Sequence, residues 1–200
     1  MRALFIIDPQ NDFIEEGSLP VAGGKAALDN LVNYLNGRER FYDNIYVTID
    51  HHPYNHKSFI PNGGTWPVHC VIGSFGHEIY SPLKSKIGGI MRTKTSNVAY
   101  CYKGTVADKE EYSIFSLDAN NNPTNNAGKI ISNNIKKDRI TEIHICGLAG
   151  DICVHDTLQD LLKLYPNIKY SILIDATASL DNGEKLTKLA KENNVQIIKF

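Results

Sequence analysis

The sequence predicts an α/β protein, a single domain built on an open, mainly parallel sheet of about six strands with helices on both faces. Three observations lead there. Short apolar runs bounded by turn residues recur along the chain, and amphipathic helical periods lie between them. The composition is ordinary: 42% hydrophobic and 22% charged residues in a chain of 200 allow a real core and sit far from the signature of disorder. No linker divides residues 1–200, so one domain with insertions is the expected organisation.

The predicted strands are Ala3 to Ile7, Ile45 to Ile49, Val98 to Tyr102, Ile143 to Cys146, Tyr170 to Ile174 and Val195 to Ile198. Leu28, Leu31, Val32 and Leu35 fall at helical spacing, as do Val154, Leu158, Leu161 and Leu162. A helix is expected over Ala127 to Ile135 after the polar turn Asn120 to Asn126, and another from Asp181, a good N-cap, to about Asn193. Residues 50–89, with Pro61-Asn62-Gly63-Gly64 and Trp66-Pro67, read as a long irregular excursion; loops of that length in a compact domain are usually functional.

Composition also excludes partners. Lys plus Arg number 21 against 22 Asp plus Glu, a net charge of -1, which lacks the electrostatic footprint of a nucleic-acid binder. No apolar run approaches the ~20 residues needed to span a bilayer, and the N-terminus does not read as a signal peptide, so a cytoplasmic protein without membrane or nucleic-acid partners is expected. Cys70, Cys101, Cys146 and Cys153 are widely scattered and read as thiols.

In an open α/β sheet, ligands bind beyond the carboxyl ends of the strands. Asp8, Asp50 with His52, Lys103 and Cys153 all lie just past predicted strands. A cysteine in the first turn of a helix is expected to have a lowered pKa, a carboxylate can take its proton, and a lysine can steady that carboxylate. Free N–H groups around Ala149 and Cys153 suit an oxyanion hole. The bland alternative for Cys153 is a small buried side chain. Asp50 and His52 share one side of an extended segment, and with His69 they offer a carboxylate and two imidazoles to a divalent metal; the bland alternative is a set of surface or capping histidines. His51 and His56 are rival ligands; His77, His144 and His155 read as structural or exposed.

These residues sit in motifs. Asp8-Pro9-Gln10-Asn11-Asp12-Phe13, Asp50-His51-His52-Pro53 through Phe59, Trp66-Pro67-Val68-His69-Cys70 through Gly76, Lys103-Gly104-Thr105 with Tyr112-Ser113-Ile114-Phe115, and Cys146-Gly147-Leu148-Ala149-Gly150-Asp151-Ile152-Cys153-Val154 follow one another in order. The set resembles the nicotinamidase branch of the isochorismatase-like cysteine hydrolases over nearly the whole chain. The resemblance implies a Rossmann-like three-layer sandwich and a metal-dependent amidase that converts nicotinamide to nicotinate and ammonia. It implies Asp8 as general base, Lys103 as its electrostatic partner and Cys153 as nucleophile. Asp50, His52 and His69 would hold one divalent ion, zinc first, with iron or manganese as alternatives. It further implies a cis peptide between Leu148 and Ala149 at the oxyanion hole, and Phe13 and Trp66 as walls around a pyridine carboxamide. Lys94 is a rival for Lys103 but lacks its flanking motif. Members of the family often self-associate, so a homo-oligomer is compatible, although no stretch marks an interface.

Two departures stand out. Gly150 replaces a usual threonine and Ile152 a common aromatic, so a less polar and looser pocket rim is expected beside Cys153. The competing readings are a sister amidase of the same superfamily acting on another small amide or carbamoyl compound, a non-catalytic pyridine-binding protein and a redox-sensing thiol domain.

Overall fold

The computed structural model describes residues 1–200. Six strands, β1 (Arg2–Ile7), β2 (Asn44–Asp50), β3 (Asn97–Lys103), β4 (Glu142–Gly147), β5 (Lys169–Thr177) and β6 (Gln196–Ile198), form one sheet in the order β3-β2-β1-β4-β5-β6. Every pairing is parallel. The pleat sorts β1 cleanly. Leu4 and Ile6 face α1 (Gly24–Tyr34) and α2 (Ser81–Thr93), while Ala3, Phe5 and Ile7 face α3 (Asn126–Lys137), α4 (His155–Leu164) and α5 (Glu184–Glu192). Both faces are therefore covered, as an all-parallel sheet requires, and the two halves of the core lie on either side of it.

The strand order reverses between β1 and β4, which is the switch point where such sheets open a crevice. Register brings the functional strand ends level. Ile7 pairs with Gly147, so Asp8 emerges beside the loop to Cys153, and Asp50 pairs with Lys103. Gly147, at φ 120°, runs so close to Ile7 that a side chain there would collide with its backbone.

The structure corrects the sequence reading in three places. The excursion ends at Tyr80, because residues 81–93 form α2; Leu83, Ile87 and Ile90 are its buried stripe at helical spacing, masked by Gly88 and Gly89. Apolar runs of this kind suggest buried parallel strands, but β3 and β6 are edge strands with partly exposed side chains. Asp181 lies before α5 rather than at its cap; Gly183 takes that position, and the Asp181 carboxylate accepts the N–H groups of Gly183 and Lys185. No helix is long and apolar enough to cross a membrane.

Candidate active site

Four strand ends deliver four ionisable groups to one buried point. Lys103, with 0% exposure, closes β3; its Nζ lies 2.8 Å from Asp8 Oδ2, 2.5 Å from Asp50 Oδ1 and 3.4 Å from Cys153 Sγ. Burial opposes the ammonium, but the two carboxylates and the thiol overcome it and hold the Lys103 pKa well above its ordinary value. The carboxylates diverge. Burial lifts the Asp8 pKa, and Lys103 only partly offsets that. Burial would lift Asp50 too, yet Lys103, His52 and His69 together hold it well below the usual carboxylate range. One lysine therefore faces a firmly ionised Asp50 and a proton-accepting Asp8. Asp8 itself occupies the left-handed region at φ 44°, uncommon for a residue other than glycine; its N–H is held by Thr48 O at 3.2 Å and its Oδ1 accepts from Thr48 Oγ1 at 2.7 Å.

Cys153 departs from the expectation built on its neighbours in sequence. It lies in a π-helical turn, Gly150–Val154, that precedes α4, and burial pushes its thiol well above the ordinary value although Lys103 pulls the other way. Desolvation outweighs the helix terminus here, so the thiol starts protonated and needs a base. The acceptor is at hand: Asp8, Asp50 and Cys153 bring their ligand atoms within 4.8 Å of one another.

Asp50, His52 and His69 form the second cluster, with one atom from each within 4.8 Å of the others. Asp50 Oδ2 is 3.5 Å from His52 Nε2 and 3.9 Å from His69 Nε2. Each ring is anchored through its other nitrogen: His52 Nδ1 donates to Gly104 O at 3.0 Å and His69 Nδ1 to Pro67 O at 2.7 Å. That tautomer leaves both Nε2 lone pairs aimed inward, the arrangement that orients histidine ligands around a divalent ion. Burial holds the His69 pKa down and so favours the neutral ring, while Asp50 draws His52 up against its burial. The donor set fits a divalent metal. The rivals are otherwise engaged. Both nitrogens of His56 are spent, on Ser58 Oγ at 2.7 Å and Lys109 O at 3.0 Å, and His51 Nδ1 pairs with His77 Nε2 at 2.8 Å. Lys94 is exposed at the end of α2.

A largely apolar cavity reaches both clusters, with nine hydrophobic residues among its 12 lining residues. Cys153, Asp50 and His69 all line it; Phe13, Trp66, Tyr112 and Ile152 supply aromatic and aliphatic surface. Leu148–Ala149 is a cis peptide, and the Ala149 N–H beside the cavity donates to no acceptor within the chain. The rim at Gly150 is not loose: Ser179 Oγ fills the space where a side chain at 150 would begin, so a hydroxyl from another loop stands there.

Several supporting residues escaped sequence reasoning. Gln10 grips Asp50 at both backbone groups, donating to its carbonyl at 2.8 Å and accepting its N–H at 2.8 Å. Asp12 accepts the Cys70 N–H at 2.6 Å and the Ser18 hydroxyl at 2.5 Å, which ties down the loop carrying His69. Tyr112 accepts from Trp66 Nε1 at 3.0 Å and fixes that wall. Gln10 and Asp12 were visible inside the first motif; their tasks depend on which distant backbone they meet.

A switch-point crevice that holds a buried thiol, a neighbouring carboxylate of raised pKa and a donor set that fits a divalent ion could support hydrolysis through a covalent intermediate. The chain belongs to the isochorismatase family, whose isochorismatase domain matches residues 2–197. It is 32% identical over 201 residues to the nicotinamidase/pyrazinamidase of Mycobacterium tuberculosis, covering 98% of this chain and 97% of that one. The pyrazinamidase of Pyrococcus horikoshii, solved in complex with zinc, superimposes with a TM-score of 0.78 at 27% identity over 100% of this chain and 99% of that one. PnC1 from L. infantum, solved in complex with nicotinate, superimposes with a TM-score of 0.81 at 30% identity, covering 100% and 92%.

Proposed function

We propose that this chain is a nicotinamidase, hydrolysing nicotinamide to nicotinate and ammonia through a thioester on Cys153, with one divalent ion, zinc foremost, held by Asp50, His52 and His69. The observation that carries the reading is the cavity itself, which sets the Cys153 thiol and the two inward ligands Asp50 and His69 around an apolar space. A pyridine carboxamide has that division, a flat ring with a basic nitrogen and an amide. The relatives support the same assignment, one solved with zinc and one with nicotinate. When bound, the ion supplies open coordination positions for the ring nitrogen, directly or through water.

The remaining work falls to the chain. Phe13 and Trp66 flank the ring and keep water from the reacting amide. Asp8 takes the proton of Cys153, a transfer favoured because burial has raised its pKa toward the range of an effective base. Lys103 steadies the thiolate at 3.4 Å. Sulfur attacks the amide carbon, and the unpaired Ala149 N–H, with that of Cys153, stabilises the oxyanion. The C–N bond then breaks as Asp8 returns the proton to nitrogen, and ammonia leaves. A water gives a proton to Asp8 and attacks the thioester; nicotinate departs and the proton returns to sulfur. The four free cysteines suit a reducing compartment such as the cytoplasm.

The test is ammonia release from nicotinamide by the protein as purified, after chelation, and after addition of single metals. Turnover that disappears with the chelator and returns with zinc is the expected result; no turnover with any metal, in folded protein, overturns the assignment.

A further inference from the structure

We infer that Glu111, which touches neither the cavity nor the metal ligands, is a positioning residue that sets the aim of His52 by pinning Gly104. The inference rests on the metal-site reading above and extends it to a residue outside the donor set.

The chain of contacts is short. Gly104 O receives the hydrogen bond from His52 Nδ1 at 3.0 Å, so the direction of that carbonyl decides where Nε2 points. Gly104 has φ +65°, and a Cβ there would overlap the His52 ring, so the close approach of backbone to imidazole demands glycine. Glycine alone does not hold a direction; its carbonyl lies in the peptide joining it to Thr105 and is aimed through the φ and ψ of Gly104 from the preceding peptide, which must be fixed from outside. Two contacts do so, one at each side of the peptide joining Lys103 to Gly104. The Lys103 carbonyl accepts the His51 N–H at 2.9 Å, and the Gly104 N–H donates to Glu111 Oε2 at 3.0 Å.

Glu111 is itself immobilised. It is 5% exposed, its Oε2 also accepts from Asn125 Nδ2 at 2.9 Å, and its Oε1 meets Lys109 Nζ at 2.5 Å. Asn125 is in turn the N-cap of α3, its side-chain oxygen accepting from Ala127 and Gly128. The turn that follows Lys103 is thereby fastened to a helix terminus through a buried carboxylate. The same peptide carries the carbonyl of Lys103, so the latch serves the strand end from which both the ammonium and the His52 anchor are presented.

Zinc affinity of the folded apo protein, measured by competition with a chromophoric chelator, reads this role apart from turnover. Glu111→Ala is expected to bind zinc about 10-fold more weakly than wild type, the low end of the range for groups bonded directly to metal-binding histidines, because Glu111 acts one contact further out. Glu111→Gln, which keeps the shape and one acceptor for Gly104, is expected to show a smaller loss in the same direction and serves if the alanine variant does not fold. A merely structural role would lower the unfolding temperature and leave zinc affinity unchanged. Wild-type affinity in the alanine variant, or in the glutamine variant where the alanine variant does not fold, overturns the inference alone; wild-type protein that takes up no zinc overturns the metal reading and the inference together.

Discussion

The two ends of the sheet bury polar groups in opposite ways. At the amino end, Tyr34 OH meets Tyr42 OH at 3.1 Å, Tyr42 OH meets His144 Nδ1 at 2.8 Å, and His144 Nε2 meets Glu142 Oε1 at 3.0 Å. Burial pushes the Tyr42 phenol up and the His144 imidazole down, so both favour their neutral forms, and charge enters only at the half-exposed Arg2–Glu142 pair. At the carboxyl end, Asp8, Asp50 and Lys103 put charge where exposure is near zero, beside a cavity. Neutral networks leading to the surface are an inexpensive way to bury polarity; concentrated charge is retained where chemistry uses it.

The largest effect that separates the two ends is on activity. Asp8→Asn is expected to lower nicotinamide turnover by about 10²–10⁴-fold, the range for loss of a general acid–base group, with zinc uptake preserved. Equal turnover would move the base elsewhere. Lys103→Met breaks the carboxyl-end cluster in a different currency, leaving two buried carboxylates without their cation. Chemical denaturation should show a loss of about 3–5 kcal/mol at neutral pH, and a neutral result would mean that the cluster is far better solvated than its burial indicates.

The amino end should respond mildly. Tyr42→Phe removes a hydroxyl shared by Tyr34 and His144, and is expected to lower stability by about 0.5–1.5 kcal/mol with turnover unchanged. A fall in turnover would show that the ends communicate. The smallest effect is at Glu142, whose pKa is held below its ordinary 4.5 chiefly by Arg2. Its contribution is present above pH 4.5 and fades as pH falls through the lowered folded value. Glu142→Gln should therefore flatten the decline of the melting temperature below that pH and leave the activity profile alone; an unchanged slope would assign the decline to other carboxylates.

The same contrast explains what the sequence made legible. Strand ends are written locally: apolar runs followed by Asp8, Asp50 and Lys103 announce both the sheet and the groups it presents. Motif order supplied the rest of the donor set, including His69, which no periodicity singles out. Hidden from the sequence were properties of the assembled interior. The protonated state of Cys153 follows from burial rather than from its place near a helix start. Likewise, Ser179 filling the place beside Gly150, and Glu111 reaching Gly104, depend on loops meeting across the fold. Helix α2 was missed because its glycines and flanking loop obscured an apolar stripe that becomes plain once the sheet face it covers is known.

The most direct test of the account compares wild type with Cys153→Ala, both zinc-loaded and with metal content measured, for ammonia release from nicotinamide. The account predicts full metal content in both and turnover lowered by at least about 10³-fold in the variant, since the nucleophile is gone while the binding site stays. Appreciable ammonia release by the alanine variant would contradict a thioester route, and loss of the metal on substitution would contradict the division of labour between the two clusters.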